Sequence, residues 1–146
     1  MMVLDLFARG NIDRWLSGSI RHLFFSTEMA VKVERKEVGP RMSRIVVHGD
    51  TVYLAGIVAE KTKGHSVGEQ TKEILAVIDG LLAQAGTDKS KLLQATIWLQ
   101  VIRTVDEMNV VWDAWVTAGE PPTRACIESR LQSPALMVEI RVIAAR

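Results

Sequence analysis

Hydrophobic and polar positions alternate in short runs from residue 45 onward. Residues 45–48 and 51–55 are rich in β-branched and aromatic side chains, and Gly49-Asp50 joins them. Glycine in the first position of a two-residue loop is typical of a type II′ turn, so these runs predict a β-hairpin. Its second strand ends at Gly56, where the absence of a side chain allows close approach of the backbone.

The next segment has helical spacing. Ser66-Val67-Gly68-Glu69 is a capping box, in which serine and glutamate satisfy each other's backbone N–H groups. Gly86 stands where a helix needs a left-handed residue after its last turn. Between them, apolar residues recur every three or four positions and predict an amphipathic helix: Ile74, Leu75, Ile78, Leu81 and Leu82.

A second helix is predicted after residue 104. The sequence from Thr104 to Glu107 has the spacing of another capping box. Gly119 and the proline pair at 121–122 end the helix. Its predicted buried stripe is Met108, Val111, Trp112 and Trp115.

Three further runs predict strands. Residues 93–101 alternate, so that Trp98 faces one side while the apolar residues face the other. Residues 123–129 and 137–144 form the last two predicted strands. The apolar face of the first run consists of Leu93, Ala95, Ile97, Leu99 and Val101.

The predicted order of elements is β-β-α-β-α-β-β. This order favours an α+β fold in which both helices cover one face of a single mixed sheet. Helical crossovers normally join parallel strands, whereas the first two and the last two strands are predicted to form hairpins. The opposite face is predicted to carry Trp98, Arg124, Cys126 and Glu139 without cover from this chain. Because a large half-apolar face implies a partner, the sequence predicts an oligomer.

Composition narrows the functional classes. A formal net charge of +1 gives no electrostatic argument for a nucleic acid or a membrane as partner. The single cysteine excludes an intramolecular disulfide and fits a reducing compartment, so we expect a cytoplasmic protein. The three histidines lack ligand spacing, so we expect no metal.

The first 36 residues differ from the rest of the chain. We interpret residues 1–36 as an N-terminal extension, poorly ordered or non-native, and residues 37–146 as the domain. A loosely docked helix over residues 12–25 is an alternative. A targeting signal is a further alternative, although Asp5 and Asp13 are unusual in such segments.

Residue chemistry alone leaves a few candidates. Arg124 is suited to bidentate capture of a carboxylate, and Glu139 is suited to positioning or deprotonating a water. Cys126 is a nucleophile only if its thiol is activated. The common alternatives are an Arg124–Glu139 structural ion pair and a buried, inert cysteine. Without further information the pattern indicates a soluble α+β oligomer.

Pro122-x-Arg124-x-Cys126 is followed, fifteen residues after the arginine, by Glu139 between Val138 and Ile140. This motif resembles that of the Rid family (YjgF-type proteins, once called L-PSP endoribonucleases). The resemblance runs from about residue 38 to residue 146. It implies a chorismate-mutase-like fold and a homotrimer with clefts between subunits.

The resemblance also implies an activity, the hydrolysis of reactive enamine or imine intermediates to 2-oxo acids and ammonia. In that family the residue corresponding to Arg124 grips the substrate carboxylate, and the one corresponding to Glu139 orients the attacking water. Cys126 corresponds to a residue lining the cleft, and Gly56 to a strand-end glycine beside the substrate. No metal or cofactor is implied. Ribonuclease activity is disfavoured because the chain lacks a basic stripe.

Two positions depart from the family pattern. Met42 stands at the position of a substrate-binding tyrosine, and Ala55 stands where a serine often precedes the glycine. Both changes remove hydrogen-bonding groups from the expected cleft. The runs Arg41-Met42-Ser43-Arg44 and Trp112-Asp113-Ala114-Trp115 resemble the less characterised Rid subgroups. The alternative function is therefore non-catalytic binding of a small carboxylate metabolite at the subunit interface.

Overall fold

The structure, a computed structural model, describes residues 32–146. The interpretations offered for residues 1–31, including the helix over 12–25, lie outside the described residues. Residues Lys32–Arg146 form one compact unit. Its first strand begins at Val33, so paired strand structure starts a few residues ahead of position 37.

The described unit contains seven strands and two α-helices. The strands are β1 Val33–Val38, β2 Ser43–His48, β3 Thr51–Leu54, β4 Ile57–Val58, β5 Leu92–Leu99, β6 Thr123–Glu128 and β7 Val138–Ala145. The helices are α1 Val67–Gln84 and α2 Val105–Trp115, and short 3₁₀ turns lie at Lys89–Lys91 and Ile102–Thr104.

One mixed sheet holds all seven strands, which confirms the predicted α+β class. The strand order is β1-β2-β3-β7-β5-β6, and β4 also pairs with β7. The predicted hairpin is confirmed between β2 and β3, and Gly49 has a φ of 60° at its turn. The hairpin predicted between the last two strands is wrong. Strand β7 lies between β3 and β5. Strand β5 therefore separates β7 from β6, and β5 and β6 pair in parallel.

A register shift in β5 changes one predicted core position. The pairing with β7 is irregular between Leu92 and Gln94. The extra residue turns Leu93 outward, where 49% of it is exposed, and Leu92 is buried instead. The prediction that Leu93 shares the core face was therefore wrong, because a bulge shifts the alternation of side chains by one residue. Ala95, Ile97 and Leu99 are fully buried as predicted.

Of the two predicted capping boxes, the structure contains the first and lacks the second. Ser66 and Glu69 form the predicted capping box, and Gly86 after α1 has a φ of 80°. The capping box predicted at Thr104 is wrong, because the Thr104 hydroxyl donates instead to the carbonyl of Val101 at 2.7 Å. Glu107 accepts a hydrogen bond from the backbone N–H of Gly68 at 2.8 Å, which ties the start of α2 to the start of α1.

The core lies between the two helices and one face of the sheet. Both helices contribute fully buried side chains, among them Ile74 and Met108, which belong to the same cluster as Ile97 and Ile140 of the sheet. We call the other side of the sheet the outer face. Tyr53 on β3 points to it and is 43% exposed. The predicted oligomer, whose partner would cover this face, stays a prediction.

Candidate active site

Glu139 lies on the outer face near the start of β7. The alternation along β7 buries Val138 and Ile140 on the core side and leaves Glu139 half-buried on the other. Its cross-strand neighbours are Trp98 on β5 and Val58 on β4. Burial raises the pKa of the Glu139 carboxyl. Within residues 32–146 no hydrogen bond to this carboxylate offsets that effect, so the group can carry a proton at a higher pH than an ordinary glutamate.

Gly56 lies directly beneath this carboxylate. The pairing with β7 shifts by one residue between β3 and β4, which places a bulge at Ala55 and Gly56. A Cβ atom on Gly56 would overlap Oε1 of Glu139 and come within 2.9 Å of its Cδ. Only glycine leaves this space to the glutamate in its present conformation. The structure therefore brings together two of the predicted site residues, Gly56 and Glu139.

Arg124 lies on the helix side of edge strand β6. It pairs with Ala95, whose side chain is in the core, so the two share a face of the sheet. Its Nη1 donates to Oδ1 of Asn109 on α2 at 2.9 Å, and its guanidinium lies 5.4 Å from the ring centroid of Trp112. The amide and the indole fix one side of the guanidinium, while the residue as a whole is exposed.

Cys126 shares this side of β6 with Arg124. It pairs with Ile97 and packs against the core while remaining partly accessible. Burial raises the pKa of its thiol, although the nearby Arg124 charge acts in the opposite direction. The thiol is therefore held protonated, which favours an inert lining residue over an activated nucleophile.

The prediction that all these residues share the uncovered face was wrong. Trp98 and Glu139 point to the outer face, whereas Arg124 and Cys126 point toward the helices. The cause is the unexpected strand order, since Arg124 takes its orientation from the parallel register with β5. The Arg124–Glu139 ion pair is excluded within one chain. Two strand spacings and three residues along β5 put their Cα atoms roughly 14 Å apart, at about 4.8 Å per strand and 3.3 Å per residue.

Met42 lies in the turn between β1 and β2 and is 56% exposed. The backbone N–H of Gly39 donates to its carbonyl at 2.8 Å, and Ala55 donates to the carbonyl of Arg44 at 3.0 Å. These bonds place the turn at the same end of the sheet as Gly56. Met42 and Ala55, two predicted cleft positions, thus lie near that end of the sheet.

Two residues in contact with the site carry little signal in the sequence. Asn109 and Trp112 are three apart on α2, a spacing that puts both on one side of the helix, where they meet Arg124. The sequence pattern had assigned Trp112 to the buried stripe, and it is indeed 4% exposed. The sequence pattern does not contain the register between β6 and β5, which brings Arg124 against this helix.

Buried Gln70 holds the segment that leads into β7. Its Nε2 donates to the carbonyls of His65 and Ala135, both at 3.0 Å. Its Oε1 accepts from the backbone N–H of Met137 at 2.9 Å, two residues before Glu139. Every polar group of this fully buried amide is satisfied except one lone pair, so Gln70 fixes where β7 begins.

Between residues 32 and 146, no three histidine, cysteine, aspartate or glutamate side chains are grouped so as to hold a metal ion. Neither helix in that range has the length and apolarity to cross a membrane.

Comparisons with known proteins support the family resemblance. The model of the family described as Endoribonuclease L-PSP matches residues 35–146. A RutC family protein of Haemophilus influenzae is 40% identical over 112 residues, which cover 77% of this chain and 97% of the relative. The RutC family protein YoaB of Escherichia coli is 37% identical over 113 residues, with coverage of 77% and 97%.

A solved structure matches this chain in both fold and sequence. The crystal structure of a member of the YjgF protein family from Neisseria meningitidis has 40% sequence identity and a TM-score of 0.77, and the match covers 80% of this chain and 96% of that one. The range matched by the family model, residues 35–146, contains the whole of the described sheet except the first two residues of β1. The chain belongs to the Rid family, also known as the YjgF, RutC or L-PSP family.

Proposed function

We propose that the protein hydrolyses 2-imino acids, or the enamines in equilibrium with them, to 2-oxo acids and ammonia. Water adds to the C=N carbon while the imine nitrogen takes a proton, and the resulting amino alcohol expels ammonia as its hydroxyl proton moves to nitrogen. The observation that carries the proposal is the half-buried Glu139, held over Gly56 with a raised pKa and no internal partner among the described residues.

Arg124 supplies the carboxylate site. One of its nitrogens is occupied by Asn109, and the others have no hydrogen bond within the described chain. A guanidinium fixed on one side and open on the other suits a planar carboxylate, which accepts two parallel hydrogen bonds. Every 2-imino acid carries such a carboxylate next to the reacting carbon.

Glu139 acts in turn as general base and general acid in the proposed reaction. As a carboxylate it accepts a proton from the attacking water, and as an acid it returns that proton to the departing nitrogen. A raised pKa brings the group closer to the operating pH and makes both directions efficient. Holding water and imine together removes much of the entropic barrier.

The two halves of the site come from different subunits in this proposal. Within one chain Arg124 and Glu139 are on opposite faces of the sheet, too far apart for one small substrate. In a homotrimer, the outer face of one subunit meets the β6 edge of the next and forms a shared cleft. This arrangement also covers Tyr53 and Ile127, which are 43% and 48% exposed in the isolated chain.

The test is imine-hydrolysis kinetics. An amino-acid oxidase generates the 2-imino acid, and its loss is followed with and without the protein. We expect wild type to accelerate the loss and Arg124→Ala or Glu139→Gln to abolish the acceleration. Arg35→Ala is the matched control, since it removes an exposed arginine from β1, the opposite edge strand. Decay no faster than in buffer, or unchanged in Arg124→Ala, contradicts the proposal.

Non-catalytic capture of a small carboxylate is the second candidate. It is favoured by Met42 and Ala55, which place no hydroxyl at the two cleft positions where the family pattern has one. Thermal stabilisation by 2-oxo acids that requires Arg124, without imine turnover, identifies this function.

A further inference from the structure

We propose that the site prefers imino acids with large apolar or aromatic side chains, and that Trp98 forms the surface on which the side chain lies. The inference rests on the function proposed above and names its substrate class. It comes from the residues that surround Glu139 on the outer face.

Glu139 stands in an otherwise apolar row across four strands. Val58 on β4 is its partner on one side, and Trp98 on β5 is its partner on the other. Trp98 in turn pairs with Ile127 on edge strand β6, which is 48% exposed in the isolated chain and lies at the proposed subunit contact. Paired residues of neighbouring strands share a face, so these four side chains line up across the outer face. Around Glu139 the row offers a substrate one carboxylate flanked by the apolar side chains of Val58 and Trp98.

The two sides of Glu139 differ in the side chains they present to a substrate. Beneath the carboxylate, Gly56 contributes no side chain. Toward β6, the half-buried indole of Trp98 presents a broad apolar surface and has no hydrogen bond within the described chain. If the reacting carbon lies beside Glu139, the substituent on that carbon extends over the indole. A ring or a branched alkyl group covers this surface, whereas a methyl group leaves most of it to water.

A positive charge near the row favours an alternative substrate class, imino acids with a second carboxylate. Arg141 is the next outer-face residue on β7, exposed and paired with Thr96. A substrate with a second carboxylate would reach toward this guanidinium rather than lie on Trp98. The apolar strip adjoins the reacting position directly, while Arg141 lies one outer-face position further along, so we favour the apolar substrate.

Binding and turnover are measured separately, so that the two proposals fail independently. Titration calorimetry on the full-length protein uses pyruvate, 4-methyl-2-oxopentanoate, phenylpyruvate and 2-oxoglutarate, the 2-oxo acid products of the matching imines. We expect phenylpyruvate and the branched acid to bind about 10- to 50-fold more tightly than pyruvate. The imines of alanine, leucine and phenylalanine should show the same order in kcat/KM.

Variants assign the preference to the indole. Trp98→Ala should reduce the preference for phenylpyruvate over pyruvate to about 3-fold or less, whereas Trp98→Phe should retain most of it. Ile143→Ala is the control, because it shortens another half-buried outer-face residue on β7, four positions from Glu139. Native mass measurement selects the variants that keep the oligomeric state of wild type.

Each outcome decides the inference. Equal binding of pyruvate and phenylpyruvate, tightest binding of 2-oxoglutarate, no binding of any 2-oxo acid, or a preference unchanged in Trp98→Ala overturns it. A Trp98-dependent binding preference without turnover of any imine supports the inference and rejects the proposed reaction instead.

Discussion

Arg124 and Glu139 lie on opposite faces of the sheet, and strand β5 runs between the strands that carry them. Arg124 takes its orientation from the parallel pairing with Ala95, and Glu139 takes its own from the antiparallel pairing with Trp98. Ala95 and Trp98 are three apart on β5, an odd separation, and an odd separation reverses the direction of a side chain. Shared use of the two residues therefore requires two copies of the chain.

Mixing two inactive variants tests this sharing. We expect Arg124→Ala and Glu139→Gln to be inactive alone and to recover activity when co-expressed in equal amounts. A cleft is intact when its arginine comes from the Glu139→Gln chain and its glutamate from the Arg124→Ala chain. Random assembly into closed rings makes this true of about a quarter of the clefts. The measurement is imine hydrolysis by the co-purified mixture.

The control for the mixture is the double variant, Arg124→Ala with Glu139→Gln on one chain, co-expressed with wild type. It also yields mixed oligomers, in which about a quarter of the clefts keep both groups by the same reasoning. A mixture of the two single variants that stays inactive while this control is active means that each cleft takes both residues from one chain.

Gly56→Ala should impair catalysis by displacing the Glu139 carboxylate. The added Cβ overlaps Oε1 and approaches Cδ within 2.9 Å, so the glutamate must change rotamer. We expect kcat to fall about 10- to 100-fold, since a misplaced reacting group costs about that much. The melting temperature should change little, because the clash is with the end of a flexible side chain.

A matched substitution separates this effect from the general effect of adding a methyl group. Gly80 lies on the exposed side of α1, with no atom within 4 Å of a Cβ placed there. Gly80→Ala should leave kcat unchanged and stabilise the helix by about 0.5–1 kcal/mol. Equal kcat values for Gly56→Ala and wild type would show that Glu139 does not act from its present position.

The half-buried carboxylate of Glu139 should lower the free energy of unfolding at neutral pH. Burial raises its pKa in the folded state, so the folded protein binds this proton more tightly than the unfolded chain does. The contribution of the protonated form is therefore complete below the unfolded pKa of 4.5 and is lost as pH rises through the folded pKa. Glu139→Gln should be more stable than wild type at pH 7, by about 1 kcal/mol or less after solvent screening.

Thermal unfolding of both proteins between pH 4 and pH 8 measures this difference. The gain from Glu139→Gln should grow with pH and nearly vanish at pH 4. Glu120→Gln, on the exposed loop before β6, is the control for replacing a glutamate by glutamine at the surface. If the stability gained by Glu139→Gln is the same from pH 4 to pH 8, the raised pKa of Glu139 is not its cause, because a titrating carboxylate gives a difference that varies with pH.

Local signals predicted much of the fold. The β2–β3 hairpin, the capping box at Ser66 and the glycine after α1 each depend on a few neighbouring residues, whose turn and cap geometry is specified by their chemistry. The second capping box failed although its sequence was equally good. A 3₁₀ turn before α2 gives Thr104 a different backbone conformation, and Glu107 finds a better partner in Gly68 of the other helix.

The candidate site needed non-local information. The motif predicts Arg124 and Glu139 as site residues, and alternation correctly placed Glu139 opposite the core. Alternation could not say that β7 inserts between β3 and β5, and this insertion decides which face Arg124 uses. A lone strand with exposed residues on both faces, as in β6, has no hydrophobic pattern to fix its register. Only the partner strand does so.

The loop that follows β4 is anchored by Glu73, which makes it sensitive to acid. Its carboxylate accepts hydrogen bonds from the N–H groups of residues 60–62 at 2.7 to 3.0 Å and from the Thr62 hydroxyl at 2.6 Å. Burial works against ionisation, but the hydrogen bonds outweigh it and lower the pKa of Glu73 to about 2. Its contribution is therefore complete above the unfolded pKa of 4.5 and is lost as pH falls toward 2.

Glu73→Gln should destabilise the protein at pH 7 by about 1–2 kcal/mol, since charge-assisted bonds become neutral and one acceptor oxygen becomes an amide donor facing N–H groups. The difference from wild type should shrink as the pH is lowered below 4.5. Hydrogen exchange should show faster exchange of the amides of residues 60–62 in the variant, with α1 unaffected. Glu120→Gln again provides the control. Unchanged exchange in the loop would mean that the hydrogen bonds to Glu73 do not hold it in solution.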